Sequence, residues 1–101
     1  MSKLISLPRV TVVVDARLED MLIKQFVKLG AKGYTCVDCR GGGEHEVVQD
    51  VFAASSRVRI ETIAQQPVAE AIMKYLHQPQ FDHYALCASV ETVQVAAGDK
   101  F

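Results

Sequence analysis

The stretch Gly33-Tyr34-Thr35-Cys36-Val37-Asp38-Cys39-Arg40-Gly41-Gly42-Gly43-Glu44-His45 decides how the rest of the chain is read. It opens as a strand, because Tyr34, Thr35, Cys36 and Val37 suit a pleated, half-buried surface. It breaks at Arg40 into consecutive glycines, which end the strand and let bare backbone approach whatever lies opposite. Three of the chain's 6 glycines stand in that one run, so conformational freedom is concentrated at a single corner.

Working outward, Arg9–Val14 is short and β-branched with Pro8 just before it, the pattern of a buried strand. Asp15 is a candidate helix N-cap, and Glu19 and Asp20 suit the positive start of a helix. Leu18, Met21, Leu22, Phe26 and Leu29 recur at spacings of three and four, an amphipathic stripe. Gly30 stands where a left-handed residue ends such a helix. The second strand then runs from about Gly33 to Cys39.

From Arg40 to Ser56 the pattern lapses, apart from a short helical turn expected at Val47–Phe52. Structureless loops of that length in a compact domain are usually functional or disordered. Val58 and Ile60 then alternate with Arg57, Arg59 and Glu61 in a third strand. Pro67 fits the first turn of a second helix with the stripe Val68, Ala71, Ile72, Tyr75 and Leu76. His77-Gln78-Pro79-Gln80 stops that helix, and a last strand is expected from about Tyr84 to Val95. The tail Ala96–Phe101 is expected to fray or to dock on a neighbour.

The order βαββαβ is that of a ferredoxin-like fold of the α+β class, a four-stranded antiparallel sheet with two helices on one face. The uncovered face is expected to carry Val13, Val37, Ala88 and Val90, apolar area that favours an oligomer.

At 101 residues the chain reads as one domain, residues 1–101, with a long loop at about 40–56. A formal charge of −1 argues against a dedicated nucleic-acid binder, which needs a basic face. No apolar run approaches the roughly 20 residues that span a bilayer. Met1–Pro8 lacks the apolar core and cleavage pattern of a signal peptide. An odd count of 3 cysteines fits a reducing cytoplasm better than a disulfide framework. Cytoplasmic is therefore the expected compartment.

Two local chemistries compete at the opening stretch. Gly33–Cys39 resembles the Gly-x-Thr-Cys-x-x-Cys loop of heavy-metal-associated domains, which hold soft ions through two thiolates. Those domains are also ferredoxin-like, but their motif precedes the first helix, whereas here it follows that helix and lies in a strand. Residues three apart on a strand point to opposite faces, so Cys36 and Cys39 should diverge as two small core or edge residues. Alternatively, a glycine run after a strand offers N–H groups to a phosphate or carboxylate. Arg40, Arg57 and Arg59 can bring charge to that corner, the plainer role of the run being a hinge.

Catalysis has little support. His45, between Glu44 and Glu46, has the composition of a general base but the setting of a solvated loop residue. His77 and His83 suit capping or edge roles, and no serine or cysteine forms a nucleophile pattern with a histidine. We expect a non-enzyme with no metal.

The residues now described resemble the PII signalling superfamily over roughly residues 9 to 98. The likeness rests on the element order, Gly33-x-Thr35 opening the second strand, the glycine-bearing loop start, and Arg57-Val58-Arg59-Ile60-Glu61 closing it. It implies a homotrimer whose uncovered sheet faces pack together, with adenine nucleotides in the clefts between subunits. It also implies that the long loop, the T-loop, reports the ligand to a target protein. Thr35, Gly41 and Gly43 fall where the family has its adenine-pocket threonine and loop-base glycines.

The departures narrow the resemblance. Glu44-His45 stands where the family has a phosphate-gripping Arg-Gln pair. The lysine-bearing B-loop is reduced to Gln78–His83, and the paired arginines near the C-terminus are Gln94 and Ala96. No tyrosine lies between Gly43 and Arg57, so the uridylylation site of nitrogen-sensing members has no counterpart. The reduced B-loop and Gly33-Tyr34-Thr35-x-Val37-Asp38 are closer to the PII-like proteins of inorganic-carbon metabolism. Those are partners of bicarbonate transporters or carboxysome-associated, and they bind AMP, ADP or cyclic nucleotides and in some members bicarbonate. With fewer cations, each added phosphate brings unpaired charge, so ADP and AMP should compete better than ATP.

Taking the resemblance with the local chemistry, we expect nucleotide binding at Gly33, Tyr34, Thr35, Arg40, Gly41, Gly42, Gly43, Arg57, Arg59, Glu61, His83 and Tyr84. Bicarbonate is expected at Arg40, Gly42 and Gly43. The alternatives from the residues alone are a Cys36/Cys39 thiolate carrier and a ligand-free oligomerisation module.

Overall fold

The computed structural model describes residues 3–41 and 56–101. The chain runs β1 (Leu4–Asp15), α1 (Glu19–Lys28), β2 (Thr35–Cys39), β3 (Arg57–Ile63), α2 (Gln66–Leu76) and β4 (Cys87–Ala96). One-turn 3-10 segments precede α1 and follow α2. The strands form one antiparallel sheet in the order β2-β3-β1-β4, the ferredoxin-like arrangement read from the element order.

The pairing register assigns every strand residue to a face, because residues opposite one another in an antiparallel pair point the same way. Val10, Val12 and Val14 lie opposite Thr62, Ile60 and Val58, and all six are buried. These residues meet Leu22 and Phe26 of α1 and Ala69, Ile72 and Leu76 of α2 in a single core. Each of the large apolar side chains so buried stabilises by about 1.5–3 kcal/mol against leaving it in water. The helical stripes are rotated slightly from the sequence reading. Met21 is exposed and Ile23 packs on the core, whereas Ala69 is buried on the inner face of α2.

The open face reads in rows across the sheet. One row is Thr35, Glu61, Thr11 and Ser89, and the next is Val37, Arg59, Val13 and Cys87. Ala88 and Val90, expected on this face, stand opposite Val12 and Val10 and so belong to the helix-covered side. The open face is consequently mixed, with Val13 and Val37 among polar neighbours and Ile5, Leu7, Val93 and Val95 facing the same way further along β1 and β4.

Termini of elements follow local chemistry. Asp15 caps the 3-10 turn Ala16–Leu18 rather than α1 itself, accepting the Arg17 N–H at 2.8 Å. At the end of α1, Ala31 N–H bonds Phe26 O and Gly30 N–H bonds Val27 O, with Gly30 at φ +119°. That is a Schellman ending, and it requires a residue tolerant of positive φ. β1 begins five residues before the expected strand, since Leu4–Pro8 pairs with Thr92–Ala96 of β4. β4 begins at Cys87, so Tyr84 sits in a turn ahead of it rather than in the strand.

Candidate functional site

A cleft of about 230 Å³ opens at the end of the sheet where β2 begins and β3 ends. Gly33, Tyr34 and Thr35 form one wall as the chain bends from α1 into β2, and Glu61, Thr62 and Ile63 of β3 form another. Arg9 reaches it from β1, and Lys100 and Phe101 from the segment after β4. The bend at Gly33 is fixed from beneath, because the buried Thr62 hydroxyl donates to Gly33 O at 2.6 Å. Ile63 and Arg9 are opposite in the sheet, and so are Thr35 and Glu61, which brings four of these residues together through register alone.

The cleft is electrostatically mixed. Arg59 Nε and Glu61 Oε1 form an ion pair at 3.2 Å, which leaves Glu61 acceptor capacity toward the cleft. The Arg9 guanidinium is raised above the ordinary arginine value by its hydrogen bond to Glu91. Its Nε–Oε1 distance is 3.1 Å, and Nη2 bonds the same oxygen. Tyr34 adds a half-exposed aromatic ring. Main-chain groups, a hydroxyl, a carboxylate and aromatic rings suit a flat heterocycle with polar edges.

The remaining sequence-derived candidates lie elsewhere in the protomer. Arg40 and Gly41 follow the far end of β2, and Arg57 stands beside them at the start of β3. Arg40 lies five positions beyond Thr35, roughly 16 Å of extended chain. Ser56 joins this far end by accepting the Ala16 N–H at 2.9 Å. His83 and Tyr84 lie in the turn leading to Cys87, which pairs with Val13 at the same end. Tyr84 borders a second cleft of about 250 Å³ with Leu76, His77 and Phe81. Arg59 is central on the open face, opposite Val13 and Val37. Gly42, Gly43, the histidine at 45 with its flanking glutamates, and the helical turn expected at 47–52 lie outside the described residues.

The thiolate pair does not form. Cys36 stands opposite Ile60 and packs on the core, whereas Cys39 stands opposite Arg57 on the other face. Burial pushes the Cys36 thiol up, which favours the protonated form over a metal-binding thiolate. Among the described residues no group of three or more His, Cys, Asp or Glu is placed to hold a metal ion.

Sequence reasoning missed Arg9, Thr62, Ile63, Lys100 and Phe101. Ile63 continues the alternation of Arg57, Arg59 and Glu61 and was accessible on that ground; Arg9 follows only from the register. The tail was expected to fray or to join a neighbour. It turns back at Gly98, φ +103°, and lines the cleft of its own chain.

The fold is that of PII-like signalling proteins. The family model described as nitrogen regulatory protein P-II matches residues 7–100, and the chain belongs to that family. A PII-like signaling protein of Thermus thermophilus is 38% identical, with 95% of each chain covered and a TM-score of 0.79. CPII, a nitrogen regulatory PII-like protein from Thiomonas intermedia bound to ADP, AMP and bicarbonate, superposes with a TM-score of 0.78. Its identity is 20%, with 93% of this chain and 97% of CPII covered. The GlnK-ATP complex of B. subtilis gives 14% identity, coverage of 89% and 82%, and a TM-score of 0.53. Among curated proteins none matches the sequence. No helix among the described residues is long and apolar enough to cross a membrane.

Proposed function

We propose that this protein is a non-enzymatic, cytoplasmic sensor, a single domain over residues 1–101 that assembles as a homotrimer and binds adenine nucleotides between subunits. The observation that carries this reading is the division of the candidate residues between two ends of one sheet. Gly33, Tyr34, Thr35 and Glu61 line a cleft at one end, while Arg40, Gly41 and Arg57 stand at the other. The first group suits a base and the second suits phosphate. These ends stand roughly 16 Å apart along β2, and a head-to-tail contact that closes into a ring brings one end of each copy to the opposite end of the next.

ADP and AMP are preferred over ATP, because Glu44-His45, Gln94 and Ala96 supply no arginine for further phosphates, and cyclic AMP is a further candidate ligand. Bicarbonate is the second ligand, held at the loop base by Arg40 and the N–H groups of Gly42 and Gly43. The ligands present in CPII support both assignments. Residues of about 40–56 act as the T-loop, whose population shifts on binding toward a conformation that a partner recognises. The partner is a bicarbonate transporter or a carboxysome component, and no nucleic acid is involved.

Titration calorimetry with AMP, ADP, ATP and bicarbonate tests this reading alongside the mass in solution. We expect a trimer that binds ADP and AMP more tightly than ATP. A trimer giving no heat with any nucleotide at millimolar concentration is a ligand-free oligomerisation module instead.

A further inference from the structure

The segment after β4 is held against the cleft at several points. Ala97 N–H donates to Lys3 O at 2.7 Å, and Asp99 N–H donates to Ala96 O at 3.2 Å. Gly98 turns the chain at φ +103°, a conformation that side-chain-bearing residues rarely adopt. Gln65, the residue capping α2, then donates from Nε2 to the main-chain oxygen of Phe101 at 3.2 Å. Phe101 is thereby pinned on the cleft that Tyr34 and Thr35 also line.

Phe101 has no part in the core. Among the described residues the core aromatics are Phe26 and Phe81, both buried, with Tyr75 packed edge-on against Phe81. Phe101 instead remains partly exposed at the cleft, as does Tyr34. A residue whose main chain is held at a cleft, and whose partly exposed ring is absent from the core, has aromatic surface available to a ligand. The cleft keeps about 230 Å³ with Phe101 in place, so the ring is a wall and not a plug.

We propose that Phe101 is a base-stacking residue of the nucleotide site, sharing that task with Tyr34, and that it sets the cleft's preference for an aromatic base. The proposal rests on the nucleotide reading above and adds a contact that neither the glycine-bearing strand nor the T-loop supplies. Stacking is tolerant of base identity, because every base has a π-face, so Phe101 contributes affinity and the polar groups at Thr35 and Glu61 contribute selection.

ADP titration of the unaltered protein and of Phe101→Ala, Phe101→Leu and Phe101→Tyr tests it. Phe101→Ala is expected to weaken ADP at least tenfold, within the range measured for base–aromatic stacks. Phe101→Tyr, which keeps the ring, is expected to stay within about threefold of the unaltered protein, and Phe101→Leu to fall near the alanine variant. Equal or tighter binding by Phe101→Ala overturns the proposal and marks the tail as a bystander or a competitor. Binding by Phe101→Leu equal to that of Phe101→Tyr also overturns it, since apolar bulk then suffices. If the unaltered protein binds no adenine nucleotide, the nucleotide reading fails and this inference fails with it.

Discussion

Thr62 donates its hydroxyl to Gly33 O at 2.6 Å, and this one bond ties the core side of β3 to the bend that opens the cleft. Thr62 is buried among valines and isoleucines, where a hydroxyl needs a partner, and Gly33 supplies it. Thr62→Val keeps the shape and removes the donor. We expect a loss of about 1 kcal/mol in urea unfolding, the usual net worth of such a bond, and weaker ADP binding as the bend loosens. Thr62→Ser, which retains the donor, should recover most of the affinity. Equal affinity in the valine and serine variants would show that the bond does not position the site.

The glycines separate into structural and functional positions. Gly30 has φ +119°, and a Cβ there would meet Val68 Cγ2 at 2.9 Å. Gly30→Ala should therefore cost at least about 1 kcal/mol, from strain at positive φ alone. Gly33 and Gly41 have neither positive φ nor an atom within 4 Å of a built Cβ. Gly33→Ala should leave the unfolding midpoint within about 0.5 kcal/mol of the parent. If bare backbone at Gly33 faces the ligand, the same substitution weakens ADP. An alanine neutral in both assays removes Gly33 from the site.

The parts of the fold legible in sequence were those with a local signal. The alternation of Val58 and Ile60 against Arg57, Arg59 and Glu61 gave both faces of β3, and the stripe ending at Gly30 gave α1 and its left-handed ending. The first half of β1 was missed because Pro8 reads as a boundary. In the sheet its carbonyl accepts from Ala64 N–H at 3.2 Å just past the end of β3. The missing proline N–H points to that same side, so it forgoes only a bond lying beyond the end of the β3 ladder. Ala88 and Val90 were put on the wrong face because β4 offers Cys87, Ala88, Ser89 and Val90, with small or apolar residues on both sides and no polarity contrast to set the register. Of the cleft, Gly33–Thr35 was legible through a resemblance and Glu61 through alternation. Lys100 and Phe101 were not, since only the turn at Gly98 brings them there.

Asp15 gives a pH signature. Arg17 bonds both of its carboxylate oxygens at 2.7–3.1 Å and holds its carboxyl below the ordinary 3.8, the facing Arg57 adding to the effect. The lowered folded-state value means that the carboxylate's contribution is complete above the unfolded value. It is lost as pH falls below about 4 through the lower folded value. Asp15→Asn should thus melt below the parent at pH 7, with the gap closing toward pH 2. No gap at pH 7 would assign the residue's contribution to capping geometry, which asparagine shares.

The cysteines should behave independently. Cys36 packs on the core and Cys39 does not, so Cys36→Ala should lower stability by more than Cys39→Ala. Because the two side chains leave β2 on opposite faces, competition with a chromophoric chelator should show no tight Zn²⁺ or Cu(I) site that depends on both. Stoichiometric metal binding abolished by either single Cys→Ser change would reinstate the carrier reading.

The proposed inter-subunit site makes its sharpest prediction in mixed oligomers. Thr35→Ala damages the base end of a protomer and Arg40→Ala the loop-base end, about 16 Å away along β2. Each variant alone should bind ADP weakly at every site, because each site then contains one damaged end. In an oligomer co-assembled from the two variants, a cleft joining the base end of an Arg40→Ala protomer to the loop-base end of a Thr35→Ala protomer is intact. Random assortment leaves about one cleft in four in that state if every contact is heterologous and the ring closes. Calorimetry of the mixture should show a tight class of about a quarter of the sites with the parent's affinity. If both ends of the site belonged to the same protomer, no intact cleft could arise by mixing, and the tight class would be absent.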